Sequence, residues 1–89
     1  YNAGACQESL PQFEKAARMK ANDHSLLLDW GLAYDCLGRL EEALVKFREA
    51  AAVENTGHVR ALIGMVLAKQ QKPGAALEEL NEAMRLDPN

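Results

Sequence analysis

Apolar residues recur along this chain at three- and four-residue intervals in five separate stretches, the spacing of one face of an α-helix. In the first stretch Leu10, Phe13, Ala16 and Ala17 mark a helix from Gln7 to Lys20. Pro11 is tolerated there only if the helix begins near Gln7, so that the missing N–H belongs to the first turn. Asn22 and Asp23 offer an N-cap for a second helix from about His24 to Leu37. Gly38 supplies the left-handed residue that ends it. A third helix is expected over Leu40 to Val53, with Glu42 and Lys46 four apart as a surface pair. Asn55-Thr56-Gly57 reads as a turn. The fourth helix should run from about His58 to Gln70. The fifth should open at Pro73 and end near Leu86, ahead of Asp87-Pro88. The connections are a few residues long, so neighbouring helices must be antiparallel hairpins.

The five patterns differ. The third is amphipathic, with Leu40, Ala43, Leu44, Phe47, Ala50 and Ala51 on one side and Glu41, Lys46, Arg48 and Glu49 elsewhere. The second and fourth are apolar nearly all round, through Leu26-Leu27-Leu28, Trp30, Leu32 and Leu37 in one and Val59 to Ala68 in the other. A helix apolar on all sides needs partners on more than one side. The alternation implies two layers, the second and fourth helices inside and the amphipathic ones covering them.

The pattern also repeats. Trp30-Gly31-Leu32-Ala33-Tyr34 returns as Ile63-Gly64-Met65-Val66-Leu67, and at the same interval Ala43, Phe47 and Ala50 return as Ala76, Leu80 and Ala83. Looking backward at an interval one residue longer, Gly38, Leu44, Phe47 and Ala50 fall on Gly4, Leu10, Phe13 and Ala16. The lost residue is best placed at the Asn55–Gly57 turn. A period of this size means stacked units, each too small to bury its own apolar face.

These residues resemble the tetratricopeptide repeat, whose pattern is W-x2-L-G-x2-Y, then A-x3-F, then P. The middle unit offers Leu27, Trp30-Gly31, Tyr34, Ala43 and Phe47, with Asn55 in place of the proline. The last offers Ile63-Gly64, Leu67, Ala76, Leu80 and Pro88; the first offers Gly4, Ser9, Phe13 and Ala16. The resemblance implies an all-α fold: stacked antiparallel helix hairpins in a right-handed superhelical array of about five helices. Residues 1–22 would be the second half of a first unit, and 23–56 and 57–89 two complete units, a segment of a longer array. Gly31 and Gly64 would clear the helix crossings, with Ala43 and Ala76 doing the same from the opposing helix. Arg60 stands where the family has a large apolar residue, so the last hairpin should pack more loosely. Both ends of the stack lack a cap.

Composition narrows function further. A net charge of −3 spread over 89 residues gives no clustered basic surface for nucleic acid. No run of 18 apolar residues is present to span a membrane. The first residues show no basic segment followed by an apolar stretch. The chain does not begin with Met, so this last point says little about compartment, and a cytoplasmic location is only slightly favoured. Cys6 and Cys36 fall at non-matching places in different units, without the spacing of a disulfide framework, and are expected to be free.

No catalytic, cofactor or metal constellation emerges. His24 and His58 lie one unit apart, on helices about 8–10 Å from each other, too far to share a metal without further ligands; they read as surface or capping residues. The glycines form no phosphate-cradling loop. Glu78, Glu79 and Glu82 read as a solvated face. What the resemblance does imply is a concave face, lined by the first helix of each hairpin, that takes a peptide or partner helix. The residues placed there are Leu28, Asp29, Leu32, Asp35 and Cys36 from the second helix and Leu62, Met65 and Lys69 from the fourth. Leu28, Leu32, Leu62 and Met65 would form an apolar strip flanked by the negative charge of Asp29 and Asp35. The Lys, Arg and Asn set with which the family clamps a terminal carboxylate is missing, so the acidic tails of heat-shock chaperones are not expected to bind. An apolar segment with a Lys or Arg beside it fits better. The expected role is therefore a non-enzymatic protein-interaction module. The alternatives are a structural repeat that self-assembles through its uncapped ends, and a pentatricopeptide-like RNA binder, which the acidic balance and the short period disfavour. A catalytic domain outside these residues is a third alternative.

Overall fold

Five α-helices follow one another in the computed structural model, which describes residues 3–20 and 23–88. They are α1 (Ala3–Met19), α2 (His24–Cys36), α3 (Leu40–Val53), α4 (Gly57–Lys69) and α5 (Pro73–Leu86). Each packs on the next in chain order, most closely α2 with α3 and α4 with α5. The result is a stack of about 34 × 25 × 20 Å.

Local chemistry sets the helix ends. Asp23 caps α2 by accepting from the Leu26 N–H at 3.1 Å, and Thr56 caps α4 by accepting from Val59 N–H at 3.1 Å. Asn22, the other expected cap, lies outside the described residues. Thr56 in the capping place puts Gly57 inside α4 rather than in the turn expected for it. Pro73 opens α5, where its fixed φ suits the first turn. Gly38 has φ 74° at the end of α2, as the sequence predicts; at the matching place one unit later, Gln71 takes φ 61° without being glycine. Helix α1 ends at Met19 and α2 begins at His24, whereas α3 ends at Val53 and α4 begins at Gly57, so the period shortens at that turn.

Helix α1 departs from expectation. It begins at Ala3, and Pro11 sits inside it. Pro11 is exposed, so its ring meets solvent and not a packed neighbour. The Ser9 hydroxyl donates to the Cys6 carbonyl at 2.7 Å, adding a bond one turn ahead of the proline. The extra turn is also tied down covalently: Cys6 and Cys36 form a disulfide, with their Cα atoms 6.4 Å apart. The expectation of free thiols is thus overturned. The two positions do not match by repeat register, but antiparallel packing brings the start of α1 to the end of α2.

The core runs through the stack from Leu10 to Ala76, with Phe47, Val59, Ile63 and Val66 wholly buried. A Cβ added to Gly31 would lie 2.5 Å from the Phe47 ring, and one added to Gly64 would lie 3.0 Å from Leu80 and 3.2 Å from the Ala76 carbonyl oxygen. The two glycines therefore set the hairpin crossings. Trp30 stacks between Phe13 and Tyr34, with ring centroids 6.5 Å apart on each side. Lys46 lies over the Trp30 ring at 3.8 Å and pairs with Glu49; Glu42, its expected partner, is held instead by Arg39 at 2.7 Å.

Arg60 does not loosen the last hairpin. Its guanidinium donates to both carboxylate oxygens of Glu79 on α5, at 3.2 and 3.3 Å, and to Asn55 at 2.7 Å. Arg48 of α3 approaches the same carboxylate at 3.8 Å. A charged clamp thus stands where the preceding unit has the buried, apolar Leu27. Glu79 accordingly belongs to an inter-helix ion pair and not to a solvated face. His24, half-buried, places Nδ1 3.0 Å from the Ala50 carbonyl and ties the start of α2 to the end of α3.

Candidate functional site

The sequence assigns a concave face to one side of α2 and α4. On α2, Leu28, Asp29, Leu32, Asp35 and Cys36 fall on the arc left free by the buried positions Leu27, Trp30, Gly31, Ala33 and Tyr34. On α4, Leu62, Met65 and Lys69 fall opposite the buried Ile63, Gly64 and Leu67. The strip is neither sealed nor fully solvated. Leu28, Leu32 and Leu62 are half-buried and pack against the core, Met65 is 37% exposed, and Asp29 and Lys69 are exposed.

Two members are already engaged. Lys69 Nζ donates to the Asp35 carboxylate at 2.8 and 3.0 Å, bridging the ends of α2 and α4. This bridge neutralises Asp35, so the expected pair of negative flanks reduces to Asp29. Cys36 contributes a disulfide sulfur at the lip of the same face. Its partner Cys6 is wholly buried.

Three shallow depressions lie away from the strip. One is lined by Leu27, Glu49, Ala52 and Val53, and another by Arg48, Ala51, Ala52 and Arg60. The third sits between α4 and α5, where Ala61, Leu80 and Met84 meet His58 and Pro88. The strip is an open surface and not an enclosed cavity. Among the described residues no three His, Cys, Asp or Glu side chains converge on a metal site. No described helix is long and apolar enough to cross a membrane.

One apolar feature escapes the sequence reading. Leu77, Leu80 and Met84 run along α5 at 59%, 40% and 64% exposure. Leu80 occupies the register position of the fully buried Phe47, which predicts a core place for it; it is open because no described helix covers α5 as α4 covers α3. The three-four spacing of these residues is legible, but spacing alone does not say which apolar side of a helix has a neighbour.

The comparison with solved structures rests on this hairpin geometry. The model superposes on the crystal structure of a thermophilic TPR protein from Thermus thermophilus with a TM-score of 0.91 over 97% of its own length. The fold is that of the tetratricopeptide repeat. Sequence identity is 24%, and the chain spans 44% of that protein's length. No family model and no curated protein matches the sequence. The tetratricopeptide fold is thus reached here with an Asn at the terminal proline position of the middle unit and an Arg–Glu clamp in the last hairpin.

Proposed function

We propose that this chain is a non-enzymatic protein-interaction module that holds an apolar peptide segment or partner helix on the α2–α4 face. Residues 23–56 and 57–89 act as two complete repeat units behind a leading helix. The observation that carries the reading is the partial exposure of Leu28, Leu32, Leu62 and Met65, which come from different hairpins and share one face. Partly exposed apolar strips with polar borders favour contact with another chain. Asp29 lies at the border with its carboxylate exposed, and it favours a Lys or Arg next to the apolar segment. The thioether of Met65 adapts to irregular side chains.

Selection of displayed peptides on the 89-residue chain tests this. The expected outcome is enrichment of apolar sequences with an adjacent Lys or Arg, lost in Leu32→Glu and Met65→Glu while helical circular dichroism is retained. Equal enrichment on the variants would refute the reading. Loss of helicity in both would show that the two residues serve the core and not a partner.

A further inference from the structure

The first turns of α1 have little noncovalent support. Pro11 has no N–H, so the helix bond to the Gln7 carbonyl cannot form, and the turns before it are weakly coupled to those after it. Between Gly4 and Leu10, Cys6 and Leu10 are the only buried residues; Gly4, Ala5, Gln7 and Glu8 are exposed. Leu10 belongs to the contiguous core, and Cys6 lies outside it. The Ser9 hydroxyl bonds within the same turns, to the Cys6 carbonyl, and adds no tie to α2. Beyond the proline the support changes: Phe13 stacks on Trp30, and Ala17 packs against the core. The bond from Cys6 to Cys36 at the end of α2 is therefore what fastens the turns before Pro11.

We propose that this disulfide is a redox latch, opened by a dithiol at Cys36, that decides whether residues 3–10 are helical. The two sulfurs differ in access. Cys6 is wholly buried and Cys36 half-buried, so an incoming thiolate meets Cys36. The reductant's sulfur bonds to Cys36 Sγ as the Cys6–Cys36 bond breaks, and Cys6 leaves as a thiolate and takes up a proton. The second thiol of the reductant then attacks the reductant's own sulfur in the mixed disulfide. Cys36 is released as a thiolate and protonated in turn. The chain gains two electrons and two protons, and the dithiol becomes a disulfide. Without the covalent tie, the turns before Pro11 keep Leu10 as their one core anchor, and so short a helical segment does not persist in water on its own. Helices α2 to α5 share a core, from Leu27 to Ala76, that includes neither sulfur. The release is thus local, and it leaves Cys36 as a thiol at the end of α2. The proposal is independent of what the α2–α4 face binds.

Hydrogen exchange of the 89-residue chain, oxidised and in excess dithiothreitol, is the test. Amides of residues 4–10 should lose their protection in the reduced chain while α2 to α5 stay protected. Cys36→Ser without reductant should give the same map. Reduced Pro11→Ala, which restores the missing helix bond, should keep most of the protection at residues 4–10. Limiting glutathione, with the exchange stopped by acid, should be found bonded to Cys36 and not to Cys6. Unchanged protection at residues 4–10, loss of protection through all five helices, indifference to Pro11→Ala, or glutathione on Cys6 would each overturn the proposal.

Discussion

At the scale of single residues, two backbone positions respond to substitution in opposite directions. Gly31→Ala drives a methyl to 2.5 Å from the Phe47 ring, and Phe47 is wholly buried with nowhere to retreat. The variant should lose about 1–3 kcal/mol by overpacking. Removing the ring itself, in Phe47→Ala, should cost about 3–5 kcal/mol. Gln71 is the reverse case. It holds φ 61° at the place where the preceding unit uses Gly38, so Gln71→Gly relieves left-handed strain and should raise the thermal midpoint by the equivalent of about 0.5–1 kcal/mol. Chemical denaturation of the three variants checks all these signs. The glycine–aromatic crossing was legible in the sequence because both partners recur in register. The positive φ of Gln71 was not, because a side chain there gives no hint that the loop geometry of Gly38 is kept.

At the scale of elements, carboxylates in local bonds near helix ends carry the acid sensitivity. The Leu26 N–H holds the Asp23 carboxyl below its ordinary pKa, with Lys20 adding a smaller effect in the same direction. Hydrogen bonding from Arg85 holds Glu82 below its ordinary value. A carboxylate whose folded pKa lies below its unfolded one contributes stability above the unfolded value and loses it as pH falls through the folded one. Stability should therefore be level from neutral pH to the ordinary carboxylate range and decline beneath it. Asp23→Asn, which keeps a capping oxygen but no charge, should flatten that decline; urea midpoints against pH are the measurement. The helices themselves were readable from apolar spacing: α3 and α5 have the predicted bounds, α2 ends one residue early, and α4 is shifted by one residue at both ends. The start of α1 was not, since Pro11 argues locally for a later start and only the distant Cys36 reveals why the extra turn persists. Likewise Arg60 reads as a defect until Glu79, 19 residues away, is placed opposite it.

At the scale of the whole molecule, the leading helix depends on its covalent tie. Helix α1 packs on α2, and the disulfide closes a span of 30 residues. Reduction, or Cys6→Ser with Cys36→Ser, should lower stability by about 3–4 kcal/mol through the freed entropy of the unfolded chain. Hydrogen exchange should show α1 losing protection before α4 and α5. The eight residues proposed for the candidate face come from the family resemblance, which gives no sign of the Asp35–Lys69 bridge between residues 34 apart in the chain. The packing of each helix on its successor has a kinetic side as well. Hairpins close over short connections, so little chain entropy is lost before native contacts form, and such topologies reach the native state in microseconds to milliseconds. The Cys6–Cys36 pair is the exception in this chain: thiol oxidation proceeds over seconds to hours. A helical signal that returns at once on refolding, followed by slow consolidation of the α1 end, is the time course that this architecture dictates.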